Sequence, residues 1–285
     1  MLAAMAEPMV LVHGYRGTWR CWMPVWDGLA RRYDVHALRL AGHFQGEELP
    51  DGVTPSIAAL VDAAERDLDA LGVRRAHLVG NSLGGWIVAE LARRGRALSV
   101  VALSPAGMWE PRSPAERRLD RMFRADARTL PWAIRHAESL SGRPRLRRLA
   151  FRRVMERADR LAPAEAASWM RAAQSYAAWR DLLDAMDRDG PIRDTGEITA
   201  PTLVAWAQRD RLLPFADFGR RWVGALPHSE VRMLPGVGHV PMADDPSLVT
   251  GTIVDWAARH PAVDAPSAGL GLSMRRGARS PRARS

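Results

Sequence analysis

A serine set between glycines is the residue of this chain whose surroundings could make it a nucleophile. Residues 80–85 read GNSLGG, which places Ser82 in a Gly-x-Ser-x-Gly motif. A serine at the tip of a sharp turn between a strand and a helix is exposed for attack on a carbonyl carbon. The helix that follows supplies N–H groups and a partial positive charge, which favour a developing oxyanion.

A serine hydroxyl needs a base, and the base needs an acid that orients it. Asp210 follows the apolar run TLVAWA at residues 202–207, and His239 lies in the glycine-rich stretch after VRML at residues 231–234. Serine, aspartate and histidine therefore occur in the order expected for such a turn on a parallel sheet. We predict that Ser82 is the nucleophile, that His239 is the general base and that Asp210 orients the imidazole and stabilises its charged form.

Two backbone N–H groups are expected to stabilise the oxyanion. One belongs to Leu83, the residue after the nucleophile, and the other to Tyr15, in the loop after the first apolar run. We interpret His13, in the same loop, as shaping the loop by hydrogen bonding. His13, Trp86 and Trp109 are also candidate substrate-binding residues.

Strand and helix patterns alternate along the chain and place these residues at strand ends. Near-continuous apolar runs predict six strands, at residues 9–12, 33–40, 76–81, 98–103, 202–207 and 231–234. Apolar residues at helical spacing predict helices at residues 22–33, 54–71, 83–94 and 248–258, with Pro55 in the first turn of the second helix and Gly72 ending it. This pattern predicts the α/β class, with a mostly parallel, doubly wound sheet whose ligands bind at the carboxyl ends of the strands.

One long segment interrupts this alternation. Residues 108–195 are rich in alanine and arginine, have a helical pattern and carry prolines at positions 131, 144 and 163. We predict that they form a helical cap inserted between the fourth and fifth strands, while residues 1–107 and 196–261 form the core. Most of the cap's large apolar residues are expected to pack together, and a few to line a pocket. Residues 262–285, with five arginines and one aspartate, are expected to form a disordered Arg-rich tail.

Composition limits the classes of partner. The net charge is +9 and all 41 basic residues are arginine, which we attribute to the coding bias of a GC-rich gene. Nucleic-acid binding would rest on this arginine content alone, since no nucleic-acid-binding module is recognisable. No apolar run is long enough to cross a bilayer, no signal peptide is recognised, and the single cysteine, Cys21, cannot form an internal disulfide. We expect a cytoplasmic protein with a small-molecule substrate, no metal or cofactor, and no nucleic-acid or membrane partner. The oligomeric state stays open.

The chain resembles the α/β-hydrolase superfamily, in the branch with a helical cap. The resemblance covers about residues 9–260 and is carried by His13-Gly14, Gly42-His43, residues 80–85, Ser104-Pro105, Asp210 and Gly238-His239. It implies hydrolysis of an ester or related acyl compound through an acyl-enzyme, without metal or cofactor, and a triad of Ser82, Asp210 and His239. Members usually carry a β-hairpin before the first of these strands, so the sheet is expected to be short by one or two strands.

The resulting hypothesis is a serine hydrolase that cleaves an acyl ester of a small, largely apolar substrate. The same triad serves carbon–carbon bond, lactone and thioester hydrolysis and perhydrolysis, and the fold also makes ligand-binding receptors with slow turnover. Asn81 beside the serine is common in carbon–carbon hydrolases that resemble this chain. Epoxide hydrolases and haloalkane dehalogenases are disfavoured, because those relatives carry aspartate where Ser82 stands.

Overall fold

The computed structural model describes residues 6–173 and 179–262. Within these residues one six-stranded sheet forms in the order β2-β1-β3-β4-β5-β6, and every neighbouring pair is parallel. The strands are β1 (Pro8–Val12), β2 (Asp34–Ala37), β3 (Ala76–Asn81), β4 (Ala97–Leu103), β5 (Thr202–Ala207) and β6 (Glu230–Leu234). The predicted α/β class and its parallel sheet are confirmed.

Side chains of β1 alternate between two hydrophobic clusters, which shows that both faces of the sheet are covered. Val10 and Val12 belong to the cluster that contains the apolar residues of the helices after β2 and β3. Met9 and Leu11 belong to the cluster formed with the first and last helices. The near-continuous apolar run of this strand follows from burial on both sides.

Helices flank the sheet in chain order. Outside the segment between β4 and β5 they are α1 (Met23–Ala30), α2 (Ile57–Ala70), α3 (Leu83–Arg93), α9 (Arg220–Ala225), α10 (Pro241–Asp244) and α11 (Pro246–Ala258). The placement of Pro55 in the first turn of α2 was wrong. Ser56 is the N-cap, since its side chain accepts a hydrogen bond from Ala59 N at 3.1 Å. The helix therefore begins at Ile57, three residues after the predicted start at residue 54.

The predicted first helix is also shorter than expected. A 3-10 turn, Trp19–Trp22, precedes α1, and the side chain of Thr18 caps that turn by accepting from Arg20 N. Pro24 lies in the first turn of α1, a position where the missing N–H costs no helical hydrogen bond.

The described residues between β4 and β5 form helices and no strand. The helices are α4 (Pro114–Arg135), α5 (Ala137–Gly142), α6 (Pro144–Phe151), α7 (Pro163–Ala172) and α8 (Trp179–Asp189). Three of them begin at a proline, where a missing N–H is tolerated. Pro131, by contrast, lies inside α4.

None of the described helices is long and apolar enough to span a bilayer. The cytoplasmic location stays a prediction. The tail predicted over residues 262–285 lies outside the described part of the chain, apart from Ala262.

Candidate active site

Ser82 stands on a strained turn between β3 and α3. Its backbone has φ 57° and ψ −119°, a conformation that a non-glycine residue rarely adopts and that is often found at functional sites. The two flanking glycines are required by close backbone contacts. A Cβ on Gly80 would lie 2.2 Å from the Gly84 carbonyl oxygen, and a Cβ on Gly84 would lie 2.1 Å from the Val12 carbonyl oxygen. The strand–turn–helix setting expected for the motif is therefore present.

Asp210 and His239 are hydrogen-bonded to each other at the ends of adjacent strands. The His239 Nδ1 to Asp210 Oδ2 distance is 2.7 Å, and the two side chains are 3% and 1% exposed. The other oxygen, Asp210 Oδ1, accepts from Leu212 N at 2.9 Å and from Leu213 N at 2.7 Å. Because an ionised carboxylate can only accept, this bond places the imidazole proton on Nδ1 and leaves Nε2 as a proton acceptor.

The predicted nucleophile and base belong to the lining of one cavity. Ser82 and His239 both line a space of about 710 Å³ at the carboxyl ends of the strands. His239 Nε2 is buried, with no hydrogen-bond partner among the residues that the structure describes. An imidazole nitrogen of this kind, on a residue that lines the same cavity as Ser82, is available to take a proton.

Much of the cavity wall comes from the helices between β4 and β5. The apolar lining from this segment includes Phe123, Leu130, Ala133, Leu149, Phe151, Met155, Trp169 and Met170. Arg16, Asp126 and Arg153 supply charged groups to the same lining, and Arg153 is ion-paired with Asp126. A mostly apolar wall with a few polar groups is typical of small-molecule sites.

The loop after β1 approaches Ser82 closely. A Cβ on Gly14 would lie 3.0 Å from Ser82 Cβ, and Gly17 N donates to Gly14 O at 2.9 Å to close the turn. Tyr15 follows Gly14 directly and lines the cavity. Leu83 is the first residue of α3, where a backbone N–H has no acceptor within the helix.

His13 connects this loop to the one after β2. Its Nδ1 lies 2.9 Å from Gly14 O, and its Nε2 accepts from Leu40 N at 3.4 Å. Its ring centroid lies 5.3 Å from that of His43. Burial lowers the pKa of His13 to about 4, and burial together with the charge of His13 lowers the pKa of His43 to about 3. Both rings are therefore neutral near pH 7.

The three candidate substrate-binding side chains do not contribute to the described cavity wall. His13, Trp86 and Trp109 are absent from its lining, as far as the described residues go. Trp86 is buried in the core and packs edge-on against Trp109, with ring centroids 5.6 Å apart. Their role in substrate binding finds no support in this geometry and stays a prediction.

Sequence reasoning missed two side chains that hold the loop of His239. Asn81 Nδ2 donates to Leu103 O at 3.0 Å and to His239 O at 2.9 Å. Asp244 accepts from Gly238 N at 2.7 Å. The signal for Asn81 was a polar residue at the end of a buried strand, whereas nothing in the sequence distinguishes Asp244 from its neighbour Asp245.

Among the described side chains, no group of three or more His, Cys, Asp or Glu residues could hold a metal ion.

Comparison with known proteins identifies the family to which the chain belongs. The family model described as "Alpha/beta hydrolase family" matches residues 9–251. The epoxide hydrolase EphH of Mycobacterium tuberculosis is 35% identical over 203 residues, which cover 70% of this chain and 94% of that protein. The chain therefore belongs to the alpha/beta hydrolase family.

Solved structures agree on the fold. A thermophilic esterase from Thermogutta terrifontis superposes with a TM-score of 0.68 at 21% identity, covering 91% of this chain and 92% of that chain. The 2-hydroxy-6-oxo-6-phenylhexa-2,4-dienoate hydrolase from Rhodococcus sp. strain RHA1 gives a TM-score of 0.68 at 21% identity, covering 88% of this chain and 90% of that chain.

Proposed function

We propose that this chain is a serine hydrolase that cleaves acyl esters of small, largely apolar substrates through an acyl-enzyme. The observation that carries the proposal is the 2.7 Å bond between His239 Nδ1 and Asp210 Oδ2, with His239 lining the same cavity as the strained Ser82. Membership of the hydrolase family supports hydrolysis as the reaction class. The proposal of a serine nucleophile and an ester substrate rests on the residues of the site.

In the proposed reaction, Ser82 Oγ attacks the acyl carbonyl while His239 Nε2 takes its proton. The N–H groups of Leu83 and Tyr15 stabilise the oxyanion, a contribution of about 3–4 kcal/mol for each such donor. Collapse of the tetrahedral intermediate breaks the ester bond, and His239 gives its proton to the leaving alcohol. Water, deprotonated by His239, then attacks the acyl-enzyme and releases the acid. Asp210 keeps the imidazole in the required tautomer and stabilises its charged form.

The substrate class follows from the cavity. Residues 108–195 serve as the cap in this proposal, because their side chains supply much of the cavity wall, and residues 1–107 and 196–261 carry the reacting groups. The aromatic and methionine side chains of the cap favour an apolar acyl or alcohol group.

Epoxide hydrolysis is the second candidate, and the name of the relative at 35% identity favours it. The nucleophile argues against it. A carboxylate that opens an epoxide forms an ester, which water can hydrolyse, whereas a serine would form an ether, which the same site could not hydrolyse. With Ser82 at the turn, acyl transfer is the chemistry that can turn over.

The test is hydrolysis of p-nitrophenyl esters from acetyl to octanoyl by the wild type, Ser82→Ala and Ser139→Ala, with p-nitrostyrene oxide as the epoxide substrate. Ser82→Ala is expected to lower kcat by about 10⁴-fold or more. The control Ser139→Ala changes an exposed serine of α5 and should keep wild-type activity. Ester turnover that survives in Ser82→Ala, or epoxide turnover without ester turnover, would overturn the proposal.

A further inference from the structure

Asp244 is a buried carboxylate, separate from the proposed triad, that binds backbone N–H groups from two different loops. Its oxygens accept from Gly238 N at 2.7 Å, from Glu156 N at 2.9 and 3.0 Å, and from Arg157 N at 2.7 Å. The residue is only 3% exposed. An ionised carboxylate accepts several N–H donors well, because such charge-assisted bonds are stronger than bonds between neutral groups.

These bonds hold the loop of His239 against residues 154–157 of the helical segment. The residue before His239 donates to Asp244, and the residue after it, Val240, donates its N–H to Val154 O at 2.8 Å. Gly238 packs closely on this segment, since a Cβ there would lie 3.1 Å from Val154 O. The residues on both sides of His239 are therefore tied to this segment, Val240 directly through Val154 and Gly238 through Asp244.

The same segment also holds the loop of Asp210. The buried side chain of Glu156 forms ion pairs with Arg211 at 2.8 Å and Arg209 at 3.5 Å, the residues on either side of Asp210. The two arginine side chains are 54% and 59% exposed, so each pair alone contributes little. Their common partner, Glu156, is only 7% exposed, so both residues that flank Asp210 contact the same buried side chain.

We propose that Asp244 is a positioning residue that holds the His239–Asp210 pair in its reactive geometry by tying their loops to residues 154–157. The inference rests on the proposed function, since it takes His239 as the base and Asp210 as its acid. Asp244 acts through Gly238 and does not itself belong to the described cavity lining. Val154 and Met155 do belong to that lining, so the segment that meets the substrate is also the segment that fixes the base.

The experiment compares two neighbouring aspartates. Asp244→Asn keeps the size of the side chain but turns one of its acceptors into a donor that faces backbone N–H groups. Asp245→Asn is the matched control, because Asp245 Oδ1 accepts from Leu248 N at 3.0 Å as the N-cap of α11. Asp244→Glu restores the charge. Glu156→Gln is a second variant, which weakens the ion pairs and leaves the backbone bonds to Asp244 in place.

Two readouts are measured on each variant. The first is kcat and KM on the best ester as a function of pH. The second is the NMR titration of the His239 imidazole, with its resonance identified by its loss in His239→Gln. The titration needs no substrate, so a wild type that hydrolyses no ester would overturn the proposed function and still leave the positioning role to be decided by NMR.

Asp244→Asn is expected to lower kcat by about tenfold to a hundredfold, the cost of a small misplacement of a reacting group, with KM little changed. A looser contact with Asp210 stabilises the imidazolium less, so the His239 titration and the acid limb of kcat/KM should both move to lower pH. Asp244→Glu should recover part of kcat. Glu156→Gln should lower kcat and move the His239 titration to lower pH, each by less than Asp244→Asn does.

The inference is overturned if folded Asp244→Asn gives the same His239 titration and kcat as Asp245→Asn. Should Asp244→Asn fail to fold by circular dichroism, Glu156→Gln decides the question. An unchanged His239 titration in that variant would mean that residues 154–157 do not position the pair.

Discussion

The side chain of Asn81 donates a hydrogen bond to the main-chain carbonyl of His239 at 2.9 Å. Its amide also donates to Leu103 O at 3.0 Å, so one side chain links the turn of Ser82, the end of β4 and the loop of His239. The residue before the proposed nucleophile therefore fixes the backbone of the proposed base. Two of the three proposed triad residues are therefore linked through this amide.

Replacing Asn81 with alanine is expected to lower kcat by at least about tenfold, because it leaves the loop of His239 less well placed. It also removes the Asn81 donor from the His239 carbonyl, at a cost of about 1–3 kcal/mol, whereas Leu103 O keeps its bond from Ser82 N at 3.0 Å. The matched control is Ser99→Ala, which removes the 2.9 Å contact with His77 between the same two strands near their opposite ends. Urea unfolding measures the loss of stability, and ester kinetics measure the loss of kcat. If both variants lose stability and neither loses kcat, Asn81 has no part in placing the base.

The sequence predicted the strands, and the positions of Ser82, Asp210 and His239 at their carboxyl ends, because both follow from short-range patterns. The predicted strand at residues 202–207 has the same bounds as β5 in the structure. A short, continuous apolar run that follows a proline is compatible with few elements other than a buried strand. Asp210 and His239 each follow such a strand, and parallel strands bring their carboxyl ends together. Their contact at 2.7 Å is thus a consequence of topology that spacing alone can indicate.

The cavity and its supports depend on long-range packing, which local patterns do not report. Trp169 lines the cavity, whereas Trp109 packs on Trp86 and Trp132 is 52% exposed, although all three share the same predicted cap. The spacing of these tryptophans along the sequence does not predict which one lines the cavity, which one packs in the core and which one is exposed. The same holds for Asp244, whose partners lie 6 to 88 positions away along the chain.

The glycines of the elbow are expected to differ sharply from other helical glycines. A Cβ on Gly84 would lie 2.1 Å from the Val12 carbonyl oxygen, while Gly251, within α11, has nothing within 4 Å. Gly84→Ala should destabilise the protein by about 3 kcal/mol or more, because backbone atoms must move. Gly251→Ala should stabilise it by about 0.5–1 kcal/mol through helix propensity. Urea unfolding of both variants checks this, and equal stabilities would contradict the close approach of strand and helix.

Acid is expected to destabilise the protein through the buried pair of His13 and His43. Their folded pKa values are about 4 and about 3, below the ordinary value near 6.5 that applies to the unfolded chain. Between these pH values the unfolded chain binds more protons at these rings than the folded chain does. Stability is therefore complete above about pH 6.5 and falls as the pH drops toward about 4.

Unfolding in urea at several pH values between 4.5 and 7.5 measures this dependence. His43→Gln should show a shallower loss of stability than the wild type across that range, because one of the two titrating rings is gone. His228 provides the control, since its exposed ring meets water in the folded and unfolded chains alike, and His228→Gln should keep the wild-type slope. A His43→Gln variant with an undiminished slope would show that other groups control acid unfolding.

The length of acyl chain that the enzyme accepts is expected to depend on the wall that α4 supplies. Ala133 lines the cavity, whereas Ala125, on the same helix, is exposed and absent from the described lining. Ala133→Trp adds an indole to the space of about 710 Å³, so the optimum among p-nitrophenyl esters should move to shorter chains, chiefly through KM for the long ones. Ala125→Trp adds the same indole facing solvent and should keep the wild-type optimum. An indole at position 133 and a long acyl chain cannot occupy the same space. An unchanged optimum in Ala133→Trp would therefore mean that the acyl group binds elsewhere.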